Sequence, residues 1–274
     1  MRNKSKNSGY ALLIVLLVLS ISTVVLSSTA NLNLAKVSKA NSAHEKLQLK
    51  WGKRSCKDAV FKNIQSRLSD QNKEAFEIKL GELKFSIITS DENSKVNINT
   101  LDRYYSKVML ASKIRKLNAV SSKSALVYLT PAKIGEPYQS LDQVFRFKRV
   151  SQLVDTVSGQ TANSQITCWS DGKLNFKKCS QKSLSLILNQ LDESIVSGLK
   201  YYALSNPNCT LQDAIKSLKI KSDKTTILYR LLTDKSKYFG AWVVANAGSR
   251  KYYNFYIVEK DHNRIRNKWG FSWD

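Results

Sequence analysis

Residues 9–30 read GYALLIVLLVLSISTVVLSSTA, and no charged residue occurs between Gly9 and Ala35. A helix of about 20 apolar residues spans the ~30 Å hydrocarbon core of a bilayer. The preceding residues, MRNKSKNS, carry three cations and no acid. Because long downstream segments cross the membrane largely regardless of their charge, we expect one membrane-spanning helix whose N-terminal end lies in the cytoplasm.

Three interpretations of this segment differ in where the chain is cut. A simple anchor is not cut, and a secretory signal is cut after the apolar run, for which Ser28-Thr29-Ala30 is an acceptable site. In a prepilin-type leader the cut precedes the apolar run, so the helix stays in the mature protein. The basic segment that ends in Gly9, directly before the aromatic Tyr10, fits the prepilin-type leader best.

The segment after the apolar run is predicted to continue the helix as an amphipathic stalk. Between Ala35 and Leu68 there is no proline and one glycine, Gly52. An apolar stripe recurs there at helical spacing and consists of Cys56, Val60, Phe61, Ile64 and Leu68. We expect one part of this stripe to cover a sheet of the same chain and another part to contact helices of partner subunits.

Strand patterns enclose a long helical region further along the chain. Alternation predicts two strands within Phe76–Thr89 around Gly81 and three C-terminal antiparallel strands, at Tyr238–Ala247, Tyr252–Val258 and Ile265–Trp273. Helical patterns dominate 101–165 (within it 106–117 and 140–157), 183–204 and 210–218, whereas Thr225–Leu232 fits a strand or a helix. The sequence therefore predicts an α+β fold with an all-helical inserted domain.

The patterns divide the chain into six predicted segments. These are a leader (1–9), a transmembrane and assembly helix (10–35), an amphipathic stalk helix (36–68), strands (69–100), a mostly helical inserted domain (101–222) and a C-terminal antiparallel sheet (223–274). A hydrophobic content of 42% is enough to build a folded core, and three prolines exclude a proline-rich linker protein.

A weak internal repeat connects two polar turns. Residues 90–100 (SDENSKVNINT) and 170–178 (SDGKLNFKK) each place a polar turn before a basic residue and an apolar-Asn-apolar motif. Asp-Gly tolerates a positive φ, and Asn side chains bond their own backbone. The motif residues are Asn97, Asn99, Thr100, Asp171, Gly172 and Asn175. The alternative is two independent turns that each lead into a helix.

Three features together resemble the minor pseudopilin K family of the type II secretion system, also called general secretion pathway protein K. They are the start Gly-aromatic-Ala-Leu-Leu-Ile-Val-Leu at 9–16, the motif Val96-Asn97-Ile98-Asn99-Thr100, and Ser236-Lys237-Tyr238-Phe239 at the opening of the last sheet. The resemblance runs along most of the chain, and its N-terminal part is the most specific. Two departures stand out, because Ser94 occupies a position where the family tends to have Gly and Lys177 replaces the second Asn of the later motif.

The residue at position 14 resembles that of the K-type subgroup in particular. Most pilins and pseudopilins have Glu at the fifth residue after the cut, which neutralises the N-terminal amine of a neighbouring subunit, and the K-type subunits are the exception. Here that residue is Ile14. A subunit at the tip has no further amine to neutralise, and an unpaired carboxylate buried there would be costly. The resemblance therefore implies a position at or near the tip of an assembly.

The resemblance implies a pseudopilin fold, a long N-terminal helix packed on a small antiparallel sheet, and a structural subunit that promotes pseudopilus initiation and protein secretion. Its implied partners are I-like and J-like minor pseudopilins, the pseudopilus, the prepilin peptidase and the inner membrane, with the C-terminal domain in the periplasm. The amine of Tyr10 is the implied methylation site. The alternatives are a minor pilin of a type IV or DNA-uptake pilus, and a basic anchored or secreted nucleic-acid-binding protein.

Catalytic motifs are missing from the sequence. It contains no GxSxG, HExxH, phosphate-binding glycine loop or CxxC, so we do not expect an enzyme. We expect no cofactor either, although the family can bind calcium. Asp171, Asp192 and Glu193 come nearest to the oxygen ligands that calcium prefers, and a solvated surface is the alternative.

Four cysteines suit an oxidising periplasm. A bridge between Cys168 and Cys179 would enclose the turn at Asp171-Gly172 and leave Cys56 to pair with Cys209. Buried free thiols are the alternative.

The basic charge of the chain does not by itself indicate nucleic-acid binding. Lysine and arginine total 44 against 21 acids, which gives a net charge of +23. A nonspecific duplex binder needs clustered contacts with phosphates, whereas the lysines here are spread along the sequence without interleaved aromatic residues. We therefore expect a lysine-rich solvated surface that favours anionic lipid near residues 36–54, and we do not expect nucleic acid as a partner.

We predict that the mature chain begins at Tyr10, since the basic leader ends at Gly9 immediately before the apolar run. Mass spectrometry of the protein purified from its own membrane checks the prediction and also shows whether the new amine is methylated. A mature N-terminus at Asn31 would instead indicate a secretory signal.

Overall fold

The computed structural model describes residues 6–66, 75–117, 126–127, 129–130, 135–146, 165–247, 250–261 and 264–273 of the 274-residue chain. The chain divides into two compact units, residues 1–51 and 52–274. Helix α1, Lys6–Ser66, has 61 residues and contributes to both units. The predicted continuation of the membrane helix into the stalk is confirmed, since both segments lie on this one helix.

The first unit consists of α1 up to Trp51. From Tyr10 to Ala43 every side chain is exposed, including the large apolar side chains of the N-terminal run. Among the described residues this helix is the one candidate membrane span by length and composition. The exposed apolar side chains match the requirements of a helix in lipid.

The second unit contains a five-stranded antiparallel sheet with the order β1-β2-β9-β10-β11. The strands are β1 (Ala75–Leu80), β2 (Leu83–Asp91), β9 (Tyr238–Ala247), β10 (Arg250–Asp261) and β11 (Arg264–Trp273). The predictions of two strands around Gly81 and of three C-terminal strands are confirmed. Because β2 pairs with β9, everything between Asp91 and Tyr238 is an insertion between neighbouring strands.

The C-terminal end of α1 packs on one face of this sheet. A Cβ atom on Gly52 would lie 2.0 Å from Cζ of Phe85, so the helix and β2 approach each other as closely as a glycine allows. One turn later Cys56 is fully buried, and Val60 follows it on the same face. The spacing of Gly52, Cys56 and Val60 at i, i+4 and i+8 explains why one side of the helix meets the sheet.

The insertion is mainly helical, with short strands between the helices. Its helices are α2 (Ile98–Asp102), α3 (Lys107–Leu117), α4 (Gln181–Ile187), α5 (Glu193–Ser205), α6 (Leu211–Ser217) and α7 (Ser222–Leu231). Its two-residue strands are β3 (Val96–Asn97), β4 (Leu126–Val127), β5 (Phe145–Arg146), β6 (Ile166–Thr167), β7 (Leu174–Asn175) and β8 (Leu232–Thr233). Short 3₁₀ turns lie at Glu92–Ser94 and Leu141–Gln143.

Two details differ from the sequence predictions. The helix predicted over 140–157 is absent from its described part, 140–146, because β5 pairs with β4 and the Gln143 carbonyl accepts a 2.7 Å hydrogen bond from Thr130 N. The remainder of that prediction lies outside the described residues. The ambiguous Thr225–Leu232 is helical up to Leu231, so the sheet begins at Tyr238 and not at residue 223.

The hydrophobic core of the insertion continues onto the second face of the sheet. Trp242 of β9 and Phe255 of β10 lie on this face and are fully buried. The centroid of the Phe255 ring lies 4.6 Å from that of Trp242 and 4.6 Å from that of Trp169 in the insertion. The sheet is therefore covered by α1 on one face and by the insertion on the other.

We predict that Gly52→Val lowers the free energy of unfolding by about 1–3 kcal/mol, since a larger side chain must displace the buried Phe85 ring. Ala43→Val, at an exposed position of the same helix, is the matched control and should cost less than about 0.7 kcal/mol. Tryptophan fluorescence of the full chain during urea unfolding in detergent measures both. If Phe85→Leu does not restore stability to Gly52→Val, close packing is not the reason for this glycine.

Candidate assembly interface and the junction that supports it

The predicted leader site lies on α1. Gly9 and Tyr10 are consecutive helical residues, and the side chain of Tyr10 is 73% exposed. Ile14 follows one turn later and is 51% exposed. Both side chains are thus open to lipid or to another subunit.

The predicted stalk stripe is covered by the chain itself where its side chains are described. Cys56 and Val60 are buried, with exposed fractions of 0% and 1%. Phe61 and Ile64 lie on α1, of which only the backbone is described at those positions, and Leu68 lies outside the described residues. Contact of this stripe with partner helices stays a prediction.

A buried asparagine joins the two ends of the insertion. The amide oxygen of Asn93 accepts hydrogen bonds from the backbone N–H groups of Lys237 and Tyr238, both at 2.9 Å. Its Nδ2 donates to Asp171 Oδ1 at 2.8 Å and to the Lys173 carbonyl at 3.0 Å. The fully buried side chain uses all four of its hydrogen-bonding positions to connect the first turn, the second turn and the start of β9.

Asp91 connects the same elements through its carboxylate. Its Oδ1 accepts from the backbone N–H groups of Asn93 and Ser94, and its Oδ2 accepts from the hydroxyl of Ser236 at 2.5 Å. Burial raises the pKa of Asp91, while the Ser236 hydroxyl and the Lys178 ammonium act in the opposite direction. The carboxylate thereby fixes the turn that Asn93 occupies.

Matching hydrogen bonds support the internal repeat. Asp91 Oδ1 accepts from the N–H two residues later, and Asp171 Oδ1 accepts from Lys173 N in the same way. In the following motif Asn97 Oδ1 accepts from Asn99 N at 2.8 Å, and Asn175 Oδ1 accepts from Lys177 N at 3.1 Å. Each motif strand also has a parallel partner, since β3 pairs with β6 and β7 with β8.

The fourth position of each motif connects a distant loop. Asn99 exchanges two hydrogen bonds with the backbone of Tyr138, at 2.6 and 3.0 Å. Lys177 is the corresponding residue of the second motif, and its ammonium donates to the carbonyls of Pro207 and Cys209, both at 3.2 Å. Lys177 therefore binds the backbone of a distant loop as Asn99 does, but through a longer side chain.

The two repeats also touch at a glycine. Gly172 has a φ of +86°, and its carbonyl accepts a 3.1 Å hydrogen bond from the Thr100 hydroxyl. A Cβ atom at Gly172 would lie 2.8 Å from that hydroxyl oxygen. The predicted positive φ of the Asp-Gly turn is confirmed. The strands on either side of it, β6 and β7, do not pair with each other, so the turn does not close a hairpin.

Sequence analysis did not identify a buried ion pair beside this junction. The Lys95 ammonium lies 2.6 Å from Oε1 of Glu92, with side-chain exposures of 2% and 0%. Ser90 donates to the same carboxylate oxygen at 2.8 Å. A Glu and a Lys three residues apart in a polar turn indicate a solvated pair, and their burial follows from the covering β9, where Gly240 leaves room for the carboxylate.

Neither predicted disulfide is present. The four cysteines are free and buried, and burial raises the pKa of Cys56 and of Cys179 to about 12. Burial also raises the pKa of Cys168 and Cys209. A bridge between Cys168 and Cys179 would enclose the turn at Asp171-Gly172. Instead, the strand before this turn, β6, pairs with β3, and the strand after it, β7, pairs with β8. The thiols are therefore protonated at neutral pH and unreactive.

Two of the three residues considered for calcium bond other side chains of the chain, and the third, Glu193, is an exposed residue at the start of α5. Asp171 binds Asn93, and Asp192 forms an ion pair with Lys224 at 2.5 Å that lowers the pKa of Asp192. Among the described residues no group of three His, Cys, Asp or Glu side chains is placed to hold a metal.

Comparison with known proteins agrees with this architecture. No protein-family profile and no curated protein matches the sequence. Among solved structures, the chain is similar to a chain of the GspK–GspI–GspJ complex of the type 2 secretion system from enterotoxigenic Escherichia coli, with a TM-score of 0.50 and 12% sequence identity over 86% of this chain and 99% of that one. The chain therefore has the α+β pseudopilin fold that the sequence predicts.

We predict that Asn93→Leu lowers the free energy of unfolding by about 3 kcal/mol or more, because it removes all four hydrogen bonds of a fully buried amide. Asn206→Leu is the control, since Asn206 is exposed and bonds one carbonyl of its own helix. Its effect should stay within about 0.5 kcal/mol. Equal losses for the two variants in urea unfolding of the full chain would contradict a special role for Asn93.

Proposed function

We propose that this protein is a non-enzymatic minor pseudopilin at or near the tip of a type II secretion pseudopilus, where it promotes pseudopilus initiation and protein secretion across the outer membrane. The observation that carries the proposal is the pseudopilin fold, which extends over 99% of a chain from a complex of that secretion system. The exposed apolar α1 and the leader ending at Gly9 support it. The proposed partners are I-like and J-like minor pseudopilins, with the second unit in the periplasm and α1 in the inner membrane.

Ile14 supports the position at the tip. A subunit within the shaft of a pseudopilus must neutralise the amine of its neighbour in an apolar environment, and an isoleucine cannot do so. At the tip the same isoleucine avoids an unpaired carboxylate. The absence of an acid at position 14 thus fits a subunit that has no neighbour beyond it.

The second candidate is a subunit of a DNA-uptake pilus, for which a net charge of +23 would provide attraction to phosphates although the lysines are spread along the sequence. Contacts with many phosphates make DNA binding steeply dependent on salt, with a loss of roughly 10³ or more in affinity between 50 and 200 mM. Tight duplex binding by the full chain at physiological salt, without binding to minor pseudopilins, would favour this candidate.

We predict that the full chain co-purifies with the I-like and J-like minor pseudopilins of its own organism and that Ile14→Glu reduces both this complex and protein secretion. One acid near a helix end costs a few kcal/mol at most for insertion, so the variant should still reach the membrane. Ile14→Leu is the matched control and should behave as the natural protein does. Normal secretion with Ile14→Glu at normal protein level would argue against the tip position, and failure to co-purify would argue against the pseudopilin function.

A further inference from the structure

The exposed helix between the apolar run and the sheet has two adjoining stripes of different chemistry. Lys36, Lys39, Lys46 and Lys50 form a basic stripe, and Val37, Ala40, Leu47 and Trp51 form an apolar stripe. At 100° per residue each stripe occupies an arc of about 80°, and Lys36 lies next to Leu47 in projection. We call the eight residues together the stalk surface.

The apolar stripe is unusually exposed for its composition. The side chains of Val37, Leu47 and Trp51 are 56%, 55% and 59% exposed. The large aromatic residues of protein interfaces contribute a disproportionate share of binding energy. An exposed tryptophan in line with two exposed aliphatic side chains therefore indicates a surface that is covered in the functional state.

The spacing of the stripe is that of a helix-packing seam. Val37, Ala40, His44, Leu47 and Trp51 follow one another at intervals of three and four residues, the pattern of a and d positions in a heptad. Lys36 and Lys50 then occupy g positions, from which side chains form ion pairs with a partner helix. The surface is thus suited to a second helix.

Lipid headgroups cannot account for the half of the basic stripe that is farther from the membrane, Lys46 and Lys50. If Tyr10–Ala30 spans the hydrocarbon core, Lys46 lies about 24 Å and Lys50 about 30 Å beyond it along the helix. A tilt of about 40° still leaves Lys46 about 18 Å from the core. The headgroup region extends only about 5–8 Å on each side, so these lysines lie outside it.

A second copy of the chain is also a poor occupant. Residues 36–51 contain four lysines and one acid, Glu45, so two copies would bring like charges together along the seam. An occupant that carries acids beside its apolar stripe would instead neutralise the lysines and steer the encounter.

We infer that the stalk surface binds an acidic amphipathic helix of a different subunit, with the apolar stripe providing the packing and the basic stripe selecting the partner by charge. This inference rests on the proposed function, because it states the chemistry by which the minor pseudopilin partners would be recognised.

The test reverses the two lysines that lie beyond the headgroups. The full-length chain and its Lys46→Glu/Lys50→Glu variant are reconstituted in nanodiscs of phosphatidylcholine, which has no net charge, and in a second set of discs that also contains an anionic phospholipid. Binding is then measured to the I-like and J-like minor pseudopilins and to two synthetic helical peptides that share leucines at a and d. One peptide has Glu at its e and g positions and the other has Lys.

The matched control is Lys79→Glu/Lys84→Glu, which also reverses two exposed lysines, here a cross-strand pair of β1 and β2. We expect the stalk variant to lose at least about tenfold in affinity for the partners and the Glu peptide at 50 mM salt, and much less at 500 mM. The control should bind as the natural chain does. The Lys peptide should prefer the stalk variant.

The outcomes separate this inference from the proposed function. If the partners bind but charge reversal at positions 46 and 50 changes nothing, the inference is wrong and the pseudopilin function stands. If the Glu peptide binds selectively but the minor pseudopilins do not, the surface chemistry is correct and the proposed function is wrong. A loss of binding seen only in discs with anionic lipid would overturn the inference in favour of lipid recognition.

Discussion

The four hydrogen bonds of Asn93 are the interaction on which the second unit depends. The insertion leaves the sheet after Asp91 and returns at Tyr238, and these ends lie side by side because β2 pairs with β9. Without a polar connection, the ends would be joined by the strand pairing alone. Asn93 also bonds Asp171 and Lys173, so one side chain holds the start, the middle and the end of the insertion together.

The packing of the sheet follows from the same arrangement. Because the insertion returns to the sheet beside its point of departure, its core can cover one face, where Trp169 contacts Phe255. The other face is left for α1, whose Gly52 fits against Phe85. The buried ion pair of Glu92 and Lys95 lies where the insertion leaves the sheet, directly after β2. Such a pair is stable only while both partners and their surroundings stay in place.

Features that depend on neighbouring residues could be predicted from the sequence. The apolar run, the strands around Gly81 and the C-terminal strands are set by hydrophobic periodicity, which acts within a few residues. The contacts of Asn93 could not be predicted, since its partners lie 78 to 145 positions away in the sequence. The prediction of a bridge between Cys168 and Cys179 was wrong for the same reason. The strand before Cys168 pairs with the distant β3 and not with β7.

Lys177 shows how a substitution can be misjudged from a motif alone. Read as a sequence, it is the loss of an asparagine. In the structure its longer side chain reaches two carbonyls of the loop at 207–209, while Asn99 serves the loop at Tyr138. The fourth residue of each motif therefore binds the backbone of a distant loop in both cases. The longer lysine side chain is found in the second motif and the shorter asparagine in the first.

The two units differ in how far their side chains are used in contacts within the chain. In the second unit, polar side chains such as Asn93 and Lys200 are used within the chain, the latter on the carbonyls of Lys177 and Cys179. In the first unit the backbone is satisfied by α1 itself, while the large apolar side chains of the N-terminal run stay exposed. Hydrophobic burial that a single chain does not complete must come from lipid or from other subunits. Most of the exposed large apolar side chains among the described residues lie on α1, so this helix has the largest apolar surface left for such burial.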